Sequence, residues 1–203
     1  MPASAEPFVT GLVLAAGGSR RLGEPKQLLR YGPGTLLDHV LDTARASGFD
    51  QLVVALGGSA ERVRREVDLS GTAVVENRDF GEGCSSSIAA ALGAVDPRAD
   101  ALVLMLGDQP GVAPETVRAL IAGRGLGTPM AVCRYDDGRG HPLAFGRETF
   151  GELGALHGDK AVWKLMDRLG DEVVEVPVPG PIPPDVDTRE DYEAVLAAAG
   201  LAS

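Results

Sequence analysis

The chain alternates between short apolar runs and amphipathic segments over most of its length. The apolar runs are typical of strands buried on both faces of a sheet, and the amphipathic segments repeat apolar residues at helical spacing. The predicted strands are residues 8–15, 51–56, 73–76, 101–106, 130–134, 142–145 and 173–178. The predicted helices are residues 36–44, 59–67, 85–92, 160–169 and 188–199, with one more that begins at Pro114.

Turn residues separate these elements. Gly48 is where the first helix would end, because glycine adopts the left-handed conformation of a helix C-terminus at little cost. Pro114 occupies a favoured position in the first turn of a helix. A turn of Asp, Asp and Gly at 136–138 separates two apolar runs and predicts a hairpin or a crossed pair of strands. The proline-rich residues 177–184 predict an extended loop.

This order of elements predicts the fold class. Strands that alternate with helices favour a mainly parallel sheet covered on both faces, which is an α/β, three-layer, Rossmann-like domain. The hairpin makes the sheet mixed. The 203 residues fit one domain, residues 1–203, and show no internal repeat. Ligands of such sheets bind beyond the carboxyl ends of the strands, so the chemistry is expected in the loops that follow them.

Composition narrows the possible partners. Asp and Glu number 29 against 19 Lys and Arg, and the formal charge of -10 has the wrong sign for coating a nucleic-acid backbone. Aromatic residues make up 4% of the chain, too few for a base-stacking platform. Cys84 and Cys133 lack the spacing of a zinc site, and such cysteine usage is typical of the cytoplasm. We find no signal peptide and no apolar run that predicts a membrane anchor.

The most informative segment is the loop at 15–27, AAGGSRRLGEPKQ. Gly17, Gly18 and Gly23 permit positive φ and close backbone approach, so successive N–H groups can converge on phosphate oxygens while Lys26 closes over them. Basic residues are concentrated in and beside this loop: Arg20, Arg21, Lys26 and Arg30. The loop therefore predicts a site for an anionic phosphate. A glycine-rich turn with solvated arginines is the alternative.

Common phosphate-binding and catalytic motifs do not fit the chain. A Walker A loop has Gly-Lys-Ser/Thr at its end, but Glu and Pro follow Gly23 here. The dinucleotide fingerprint Gly-x-Gly-x-x-Gly is not present in the loop either. No Cys-His or Ser-His pairing can be inferred from the three histidines, and no Gly-x-Ser-x-Gly elbow occurs. Covalent catalysis through Cys84 is therefore disfavoured.

Asp108 is a candidate metal ligand. It follows the most apolar predicted strand, residues 101–106, at the edge where a buried sheet presents its ligands. Mg2+ takes few protein carboxylates and completes its octahedron with water and phosphate oxygens, so one or two aspartates suffice. A solvated turn aspartate is the alternative.

The segment LAAGGSRRLGEPKQLL at 14–29 resembles the opening signature of the MobA-like nucleotidyltransferases. Later segments agree in order and distance with the molybdenum cofactor cytidylyltransferase branch of that family. They are residues 77–87, 106–110, 140–142, 158–160 and 185–188. The resemblance spans almost the whole chain. It implies a sheet of the nucleotide-diphospho-sugar transferase type, a nucleoside triphosphate donor, Mg2+, pyrophosphate release, molybdopterin as acceptor, and transient contact with a molybdoenzyme or its chaperone.

The resemblance also implies roles for individual residues. The implied catalytic residues are Lys26, Asp108 and Arg20. The implied nucleotide-binding residues are Ala15, Ala16, Gly17, Gly18, Ser19, Arg20, Lys26, Asn77 and Ser85. The implied acceptor-binding residues are Ser86, Ser87, His141, Asp159 and Lys160, although Ala161 stands where most relatives have glycine. The implied metal ligands are Asp108 and Asp187. Asp187 with Glu190, or Thr188 with Asp191, would also form a capping box for the last helix, and the cap and the metal site are compatible.

Alternatives remain open for the donor nucleotide and for the class of reaction. Ala16 favours CTP over GTP, because the guanylyl branch usually has glycine there and a methyl group narrows the room for a purine. Some proteins of the same sequence group are nicotinamide-dependent pigment oxidoreductases, and this is the second enzyme class to consider. A nucleotide-binding module without turnover, and a transferase that acts on other small phosphorylated acceptors, also remain open.

Overall fold

The structure is a computed structural model that describes residues 6–19, 21–125, 127–158 and 160–202. Within these residues, seven strands form one central sheet and two more form a short hairpin. The strands are β1 (Val9–Ala15), β2 (Arg30–Tyr31), β3 (Gly34–Thr35), β4 (Gln51–Leu56), β5 (Ala73–Glu76), β6 (Ala101–Leu106), β7 (Met130–Tyr135), β8 (Gly138–Gly146) and β9 (Val173–Pro177). The helices are α1 (Leu36–Ala46), α2 (Ala60–Glu66), α3 (Cys84–Leu92), α4 (Pro114–Arg124), α5 (Phe150–Gly154), α6 (Ala161–Leu169) and α7 (Arg189–Ala198).

The central sheet has the strand order β5-β4-β1-β6-β8-β7-β9, in which β8 runs against its neighbours. β1 pairs in parallel with β4 on one side and with β6 on the other, so Leu12 lies between Val53 and Leu104. The chain runs outward from β1 to β4 and β5 and returns on the other side of β1 at β6. The carboxyl ends of β1 and β6 therefore form a topological switch point, where open α/β sheets bind their ligands.

Helices cover both faces of the sheet and bury two apolar layers. One layer contains α1, α2 and α4, with Leu41, Val63 and Leu120 as members. The other contains α3, α5 and α6, with Ile88 and Leu165 as members. The expected α/β class, with three layers and a mixed but mostly parallel sheet, is confirmed. No helix in the described part of the chain is long and apolar enough to cross a membrane.

Most predicted elements are present, because long apolar runs and helical periodicity are strong local signals. β4, β5 and β6 have the predicted bounds. Helices α2 and α7 are one residue shorter at each end than predicted, since the predicted ends are cap residues. Gly48 follows α1 with a left-handed φ of +84°, as predicted. The sequence does not predict the β2–β3 hairpin or α5, which are too short for a periodic pattern, and β8 begins at Gly138, earlier than predicted.

Candidate active site

A cleft of about 520 Å3 opens at the switch point. The ends of β1 and β6 line it together with the loop that follows β1, and the remaining wall includes Phe80 and the start of α3. The cleft contains most of the loop that the sequence predicts to bind phosphate: Ala15, Ala16, Gly17, Gly18, Ser19, Arg21 and Lys26. Asp108 and Asp187 also line it, so the two predicted metal ligands and the predicted phosphate loop lie together.

Lys26 is the charged centre of this cleft. Its ammonium forms ion pairs with Asp108 and with Asp187, and the Nζ–Oδ1 distance to Asp187 is 2.8 Å. The same Asp187 carboxylate accepts a hydrogen bond of 2.6 Å from Arg21. The Lys26 and Asp108 side chains are 12% and 18% exposed, whereas that of Asp187 is 42% exposed. One ammonium thus joins residues from three distant parts of the sequence.

Burial and charge act in opposite directions on these groups. Burial is the largest single influence on Lys26 and by itself would lower its pKa, but Asp108 and Asp187 together outweigh burial and raise that pKa. The hydrogen bond from Lys26, supported by the charge of Arg21, lowers the pKa of Asp187. At neutral pH the site therefore contains the Lys26 ammonium paired with the ionised carboxylate of Asp187.

The backbone of the phosphate loop differs from the expected one. Of the three glycines that permit a positive φ, Gly23 uses it, with a left-handed φ of +74°, whereas Gly17 and Gly18 do not. Ser19 takes the left-handed conformation instead, with a φ of +48°. Its hydroxyl oxygen accepts a hydrogen bond of 2.8 Å from the backbone N–H of Lys26. Ser19 therefore adopts a left-handed conformation in this loop, and its side chain binds the backbone of Lys26.

Two glycines on neighbouring strands make room for this loop. A Cβ atom on Gly57, just after β4, would lie 2.3 Å from the carbonyl oxygen of Ala16. A Cβ atom on Gly107, just after β6, would lie 2.8 Å from the carbonyl oxygen of Leu14. Both distances are far shorter than a van der Waals contact, so a side chain at Gly57 would displace the loop and one at Gly107 would displace the end of β1.

The polar residues near the start of α3 bind mainly to one another. Asn77 is buried and donates hydrogen bonds of 2.8 and 3.0 Å to the hydroxyl groups of Ser86 and Ser87. Asn77, Ser85 and Ser86 are not among the residues that line the cleft, whereas Ser87 is. The geometry therefore places Ser87 at the surface of the cleft and Asn77 behind it, where it orients the serine hydroxyl groups.

The predicted acceptor residues on β8 and α6 lie away from the cleft lining. His141 packs edge-on against Trp163 with 5.6 Å between the ring centroids, and burial lowers the pKa of His141 to about 4. Lys160 is exposed and is the N-cap of α6. Two further predicted site residues, Arg20 and Asp159, lie outside the described residues.

Asp187 does not serve as a helix cap. Thr188 is the N-cap of α7, and it forms the capping box with Asp191, whose carboxylate accepts from the Thr188 N–H at 2.8 Å. Of the two predicted pairings, the structure forms this one. The Asp187 side chain instead faces Lys26 and Arg21.

The two aspartates fit a divalent cation of the magnesium type. Asp108 and Asp187 present carboxylate oxygens to one shared ammonium, so a divalent ion at this place would meet two hard oxygen ligands. Among the residues that the structure describes, no group of three or more His, Cys, Asp or Glu forms a closed metal site. Mg2+ usually binds through one or two carboxylates together with water and substrate phosphates. The residues therefore fit a metal that binds together with a phosphate-bearing substrate.

Four residues that shape the site are not singled out by the sequence: Gln27, Gln109, Gly57 and Gly107. The two glutamines directly follow Lys26 and Asp108, and both are buried. The two glycines directly follow predicted strands. Two signals could have identified them. One is a glutamine directly after a charged residue, and the other is a glycine directly after a predicted strand, both at the carboxyl edge of the sheet.

Comparison with known sequences places the chain among nucleotidyltransferase relatives. The model of the MobA-like NTP transferase domain matches residues 11–173. Nicotine blue oxidoreductase from Paenarthrobacter nicotinovorans is 35% identical over 144 residues, which cover 68% of this chain and 70% of that protein. Bifunctional protein GlmU from Halorhodospira halophila is 34% identical over 151 residues, which cover 73% of this chain but 30% of that protein.

Solved structures share the fold. Rv0371c from Mycobacterium tuberculosis H37Rv superimposes with a TM-score of 0.89 at 53% identity, covering 94% of this chain and 98% of that chain. A complex of Rv0371C from the same organism with manganese superimposes with a TM-score of 0.85 at 50% identity, covering 94% of this chain and 99% of that chain. A nucleotidyl transferase from Methanothermobacter thermautotroptrophicus gives 0.79 at 23% identity, covering 94% and 97%, which is a likeness of fold alone. These neighbours confirm the expected nucleotide-diphospho-sugar transferase type of sheet.

Proposed function

The chain belongs to the MobA-like NTP transferase family, and we propose that it transfers CMP from CTP to the phosphate group of molybdopterin and releases pyrophosphate. Nucleotidyl transfer is the reaction class of the family. The donor base, the acceptor and the use of Mg2+ are the proposed parts. The observation that carries the proposal is the Lys26 ammonium held between Asp108 and Asp187, inside a cleft lined by the loop after β1.

The proposed reaction needs no general base. A phosphate monoester on the acceptor is already an anion, and its oxygen attacks the α-phosphorus of CTP in line with the bond to the β-phosphate. The new P–O bond forms as the bond to the β-phosphate breaks, and pyrophosphate leaves with the bonding electrons. Catalysis then consists of positioning and charge neutralisation. The packing of His141 against Trp163, away from the cleft lining, agrees with this scheme.

The residues of the cleft divide these tasks. Lys26 would neutralise charge on the triphosphate, and Arg21 is placed beside it through their shared partner Asp187. Asp108 and Asp187 would hold a divalent cation, which when bound supplies charge stabilisation at the phosphate oxygens. The manganese complex of the relative Rv0371C supports a divalent cation. Mg2+ is the proposed ion because phosphate-transfer sites with one or two carboxylate ligands commonly bind it.

The choice of CTP and molybdopterin rests on the sequence resemblance, with limited support from geometry. Ala16 lines the cleft, so its methyl group reduces the space beside the loop, which favours a pyrimidine. Ser87 lines the cleft and Ser86 lies beside it, so Ser87 is the better placed of the two for an acceptor contact. Lys160 and His141 would reach an acceptor only if it extends beyond the cleft.

A pyrophosphate-release assay tests the proposal. CTP or GTP is paired with molybdopterin and, separately, with simpler phosphate esters, in the presence of Mg2+. We expect release with CTP and molybdopterin, and a loss of about 100-fold or more in kcat for Asp108→Ala and for Lys26→Ala, the scale typical of a lost electrostatic contact to the transition state. Lys164→Ala, at an exposed lysine on α6, is the matched control. Near-wild-type rates for both cleft variants would defeat the assignment.

Oxidoreductase activity is the second candidate, because nicotine blue oxidoreductase is 35% identical to this chain. The loop after β1 lacks the dinucleotide fingerprint, which counts against nicotinamide binding. Oxidation of the reduced nicotinamide cofactor in the presence of nicotine blue, followed by absorbance, separates the two candidates. We expect no pigment-dependent absorbance change.

A further inference from the structure

Two buried glutamines directly follow the two most buried charged residues of the cleft. Gln27 follows Lys26 and Gln109 follows Asp108, and each glutamine is 2% exposed. Each donates its side-chain N–H groups to backbone carbonyl oxygens of a segment that carries other parts of the site. Each partner of the Lys26–Asp108 ion pair is therefore followed in the sequence by a buried glutamine.

Gln27 holds the first part of the phosphate loop. Its Nε2 donates to the carbonyl oxygen of Ala15 at 2.8 Å and to that of Gly17 at 3.1 Å. The N–H of Lys26 donates to the hydroxyl oxygen of Ser19 at 2.8 Å. These three hydrogen bonds join the start of the loop to the residues at its end, so this part of the loop keeps its shape without a left-handed φ at Gly17 or Gly18.

Gln109 holds the segment that carries Asp187. We call residues 183–187 the strap. The Nε2 of Gln109 donates to the carbonyl oxygen of Pro183 and, at 3.4 Å, to a carboxylate oxygen of Asp185. The N–H of Val186 donates to the carbonyl oxygen of Asp108 at 2.9 Å. Asp108 and Gln109 thus hold the strap at Pro183 and at Val186, and Asp187 is its last residue.

The side-chain amides of Gln27 and Gln109 act as donors, and their oxygen atoms accept no hydrogen bond from the described residues. Within the part of the chain that the structure describes, Oε1 of Gln27 and Oε1 of Gln109 are the buried side-chain atoms without a hydrogen-bond partner. A buried acceptor without a donor costs stability. Gln51 on β4 shows the contrast, since its Nε2 donates to Ala94 and its Oε1 accepts from Thr10 and Asp96. The hydrogen bonds that the two site glutamines make to described residues therefore all use their N–H groups.

We propose that Gln27 and Gln109 are positioning residues with separate tasks, Gln27 for the phosphate loop and Gln109 for the strap that presents Asp187 to Lys26 and Asp108. The inference deepens the proposed function and rests on it for the identity of the ligands. Both glutamines act through other residues, so loss of Gln109 should weaken binding of the divalent cation. Loss of Gln27 should weaken binding of the phosphate chain.

The test replaces each glutamine by methionine, which has a similar length but no amide. Mn2+ binding to the protein without nucleotide is measured by electron paramagnetic resonance, and binding of inorganic tripolyphosphate without metal is measured by calorimetry. Gln109→Met should lower Mn2+ affinity about 10-fold or more, the scale found for outer partners of metal ligands, and change tripolyphosphate affinity less than about twofold. Gln27→Met should lower tripolyphosphate affinity about fivefold or more, as loss of buried hydrogen bonds predicts, and leave Mn2+ affinity unchanged.

Gln51→Met is the matched control, because it removes a comparable glutamine at the amino end of β4, away from the cleft. It should leave both affinities unchanged even where it lowers the melting temperature. If Gln109→Met does not fold, Gln109→Asn takes its place, since its shorter side chain keeps an amide that does not reach Pro183.

Two results would overturn the inference. One is that both site variants bind both ligands as Gln51→Met does, which would make the amides purely structural. The other is that each variant loses both affinities to the same extent, which would remove the separation of tasks. Neither measurement uses a base or an acceptor. Failure of pyrophosphate release from CTP would therefore defeat the proposed function and leave the positioning roles standing.

Discussion

Replacing Lys26 by methionine should tighten the binding of Mn2+ to the protein without nucleotide. In the structure the Lys26 ammonium occupies the space between Asp108 and Asp187 and pairs with both carboxylates. A divalent cation that uses the same two carboxylates must displace this ammonium or bind beside it. Methionine has a similar length but no charge, so Lys26→Met removes the internal competitor and leaves the ligands in place.

The size of the effect follows from the two contacts that the metal has to replace. A hydrogen bond to a charged group contributes about 1.5–3 kcal/mol. Repulsion between Lys26 and an incoming cation acts in the same direction, and two unit charges about 4 Å apart near a protein surface interact by about 4 kcal/mol. A net change of about 1.4 kcal/mol corresponds to a tenfold change in affinity, so we expect an increase of about 10-fold.

The assay is titration of Mn2+ followed by the paramagnetic signal of the unbound ion, with and without nucleotide. Lys164→Met, at an exposed lysine on α6, removes the same charge away from the carboxylates and should not change Mn2+ affinity. In the wild type, nucleotide should increase Mn2+ affinity because Lys26 moves to the phosphates, and this coupling should shrink in Lys26→Met. Equal or weaker Mn2+ binding by Lys26→Met would refute the reasoning.

Three further predictions concern the fold around the site. Gly57→Ala should lower the free energy of unfolding, measured in urea titrations, by about 1–3 kcal/mol, because its Cβ would collide with the Ala16 carbonyl oxygen. Gly151→Ala on α5 is the control and should not be destabilising, because its Cβ would meet no atom within 4 Å. His141 has a pKa lowered to about 4, so the wild type should lose stability relative to His141→Asn as the pH falls from about 6.5 to 4, seen as falling melting temperatures. Asp187 has a lowered pKa, so the stability that it adds over Asp187→Asn should be present at neutral pH and be lost as the pH falls below the ordinary aspartate value of 3.8.

Much of the fold could be predicted because its signals are local. The aliphatic runs that form β4, β5 and β6 show their buried position directly in the sequence, and a predicted helix between successive strands requires a parallel sheet. The β2–β3 hairpin gives no such signal, because two-residue strands are too short for any period. Its position depends on packing with α7 in a small cluster that forms only when residues 29–36 meet residues 186–195.

The site was predictable in its parts and not in its contacts. Gly-rich and basic residues mark the phosphate loop, and Asp108 follows the most apolar strand, so both could be identified from local sequence. The partners of Lys26 could not, since Asp187 lies 161 positions away and is brought close by the strap. The left-handed Ser19 is also not predictable, because its conformation depends on the hydrogen bond from Lys26.

The charges of the cleft favour a metal–nucleotide complex over either ligand alone. Among the described groups that contact one another there, the cations Arg21 and Lys26 are balanced by the carboxylates of Asp108 and Asp187. A triphosphate alone would be attracted by the cations and repelled by the carboxylates, and a divalent cation alone would meet the opposite arrangement. When both bind, the carboxylates can pair with the metal and the cations with the phosphates, so every charge exchanges one partner for another. The balanced cleft would therefore allow an acidic protein to select the proposed anionic substrate together with its cation.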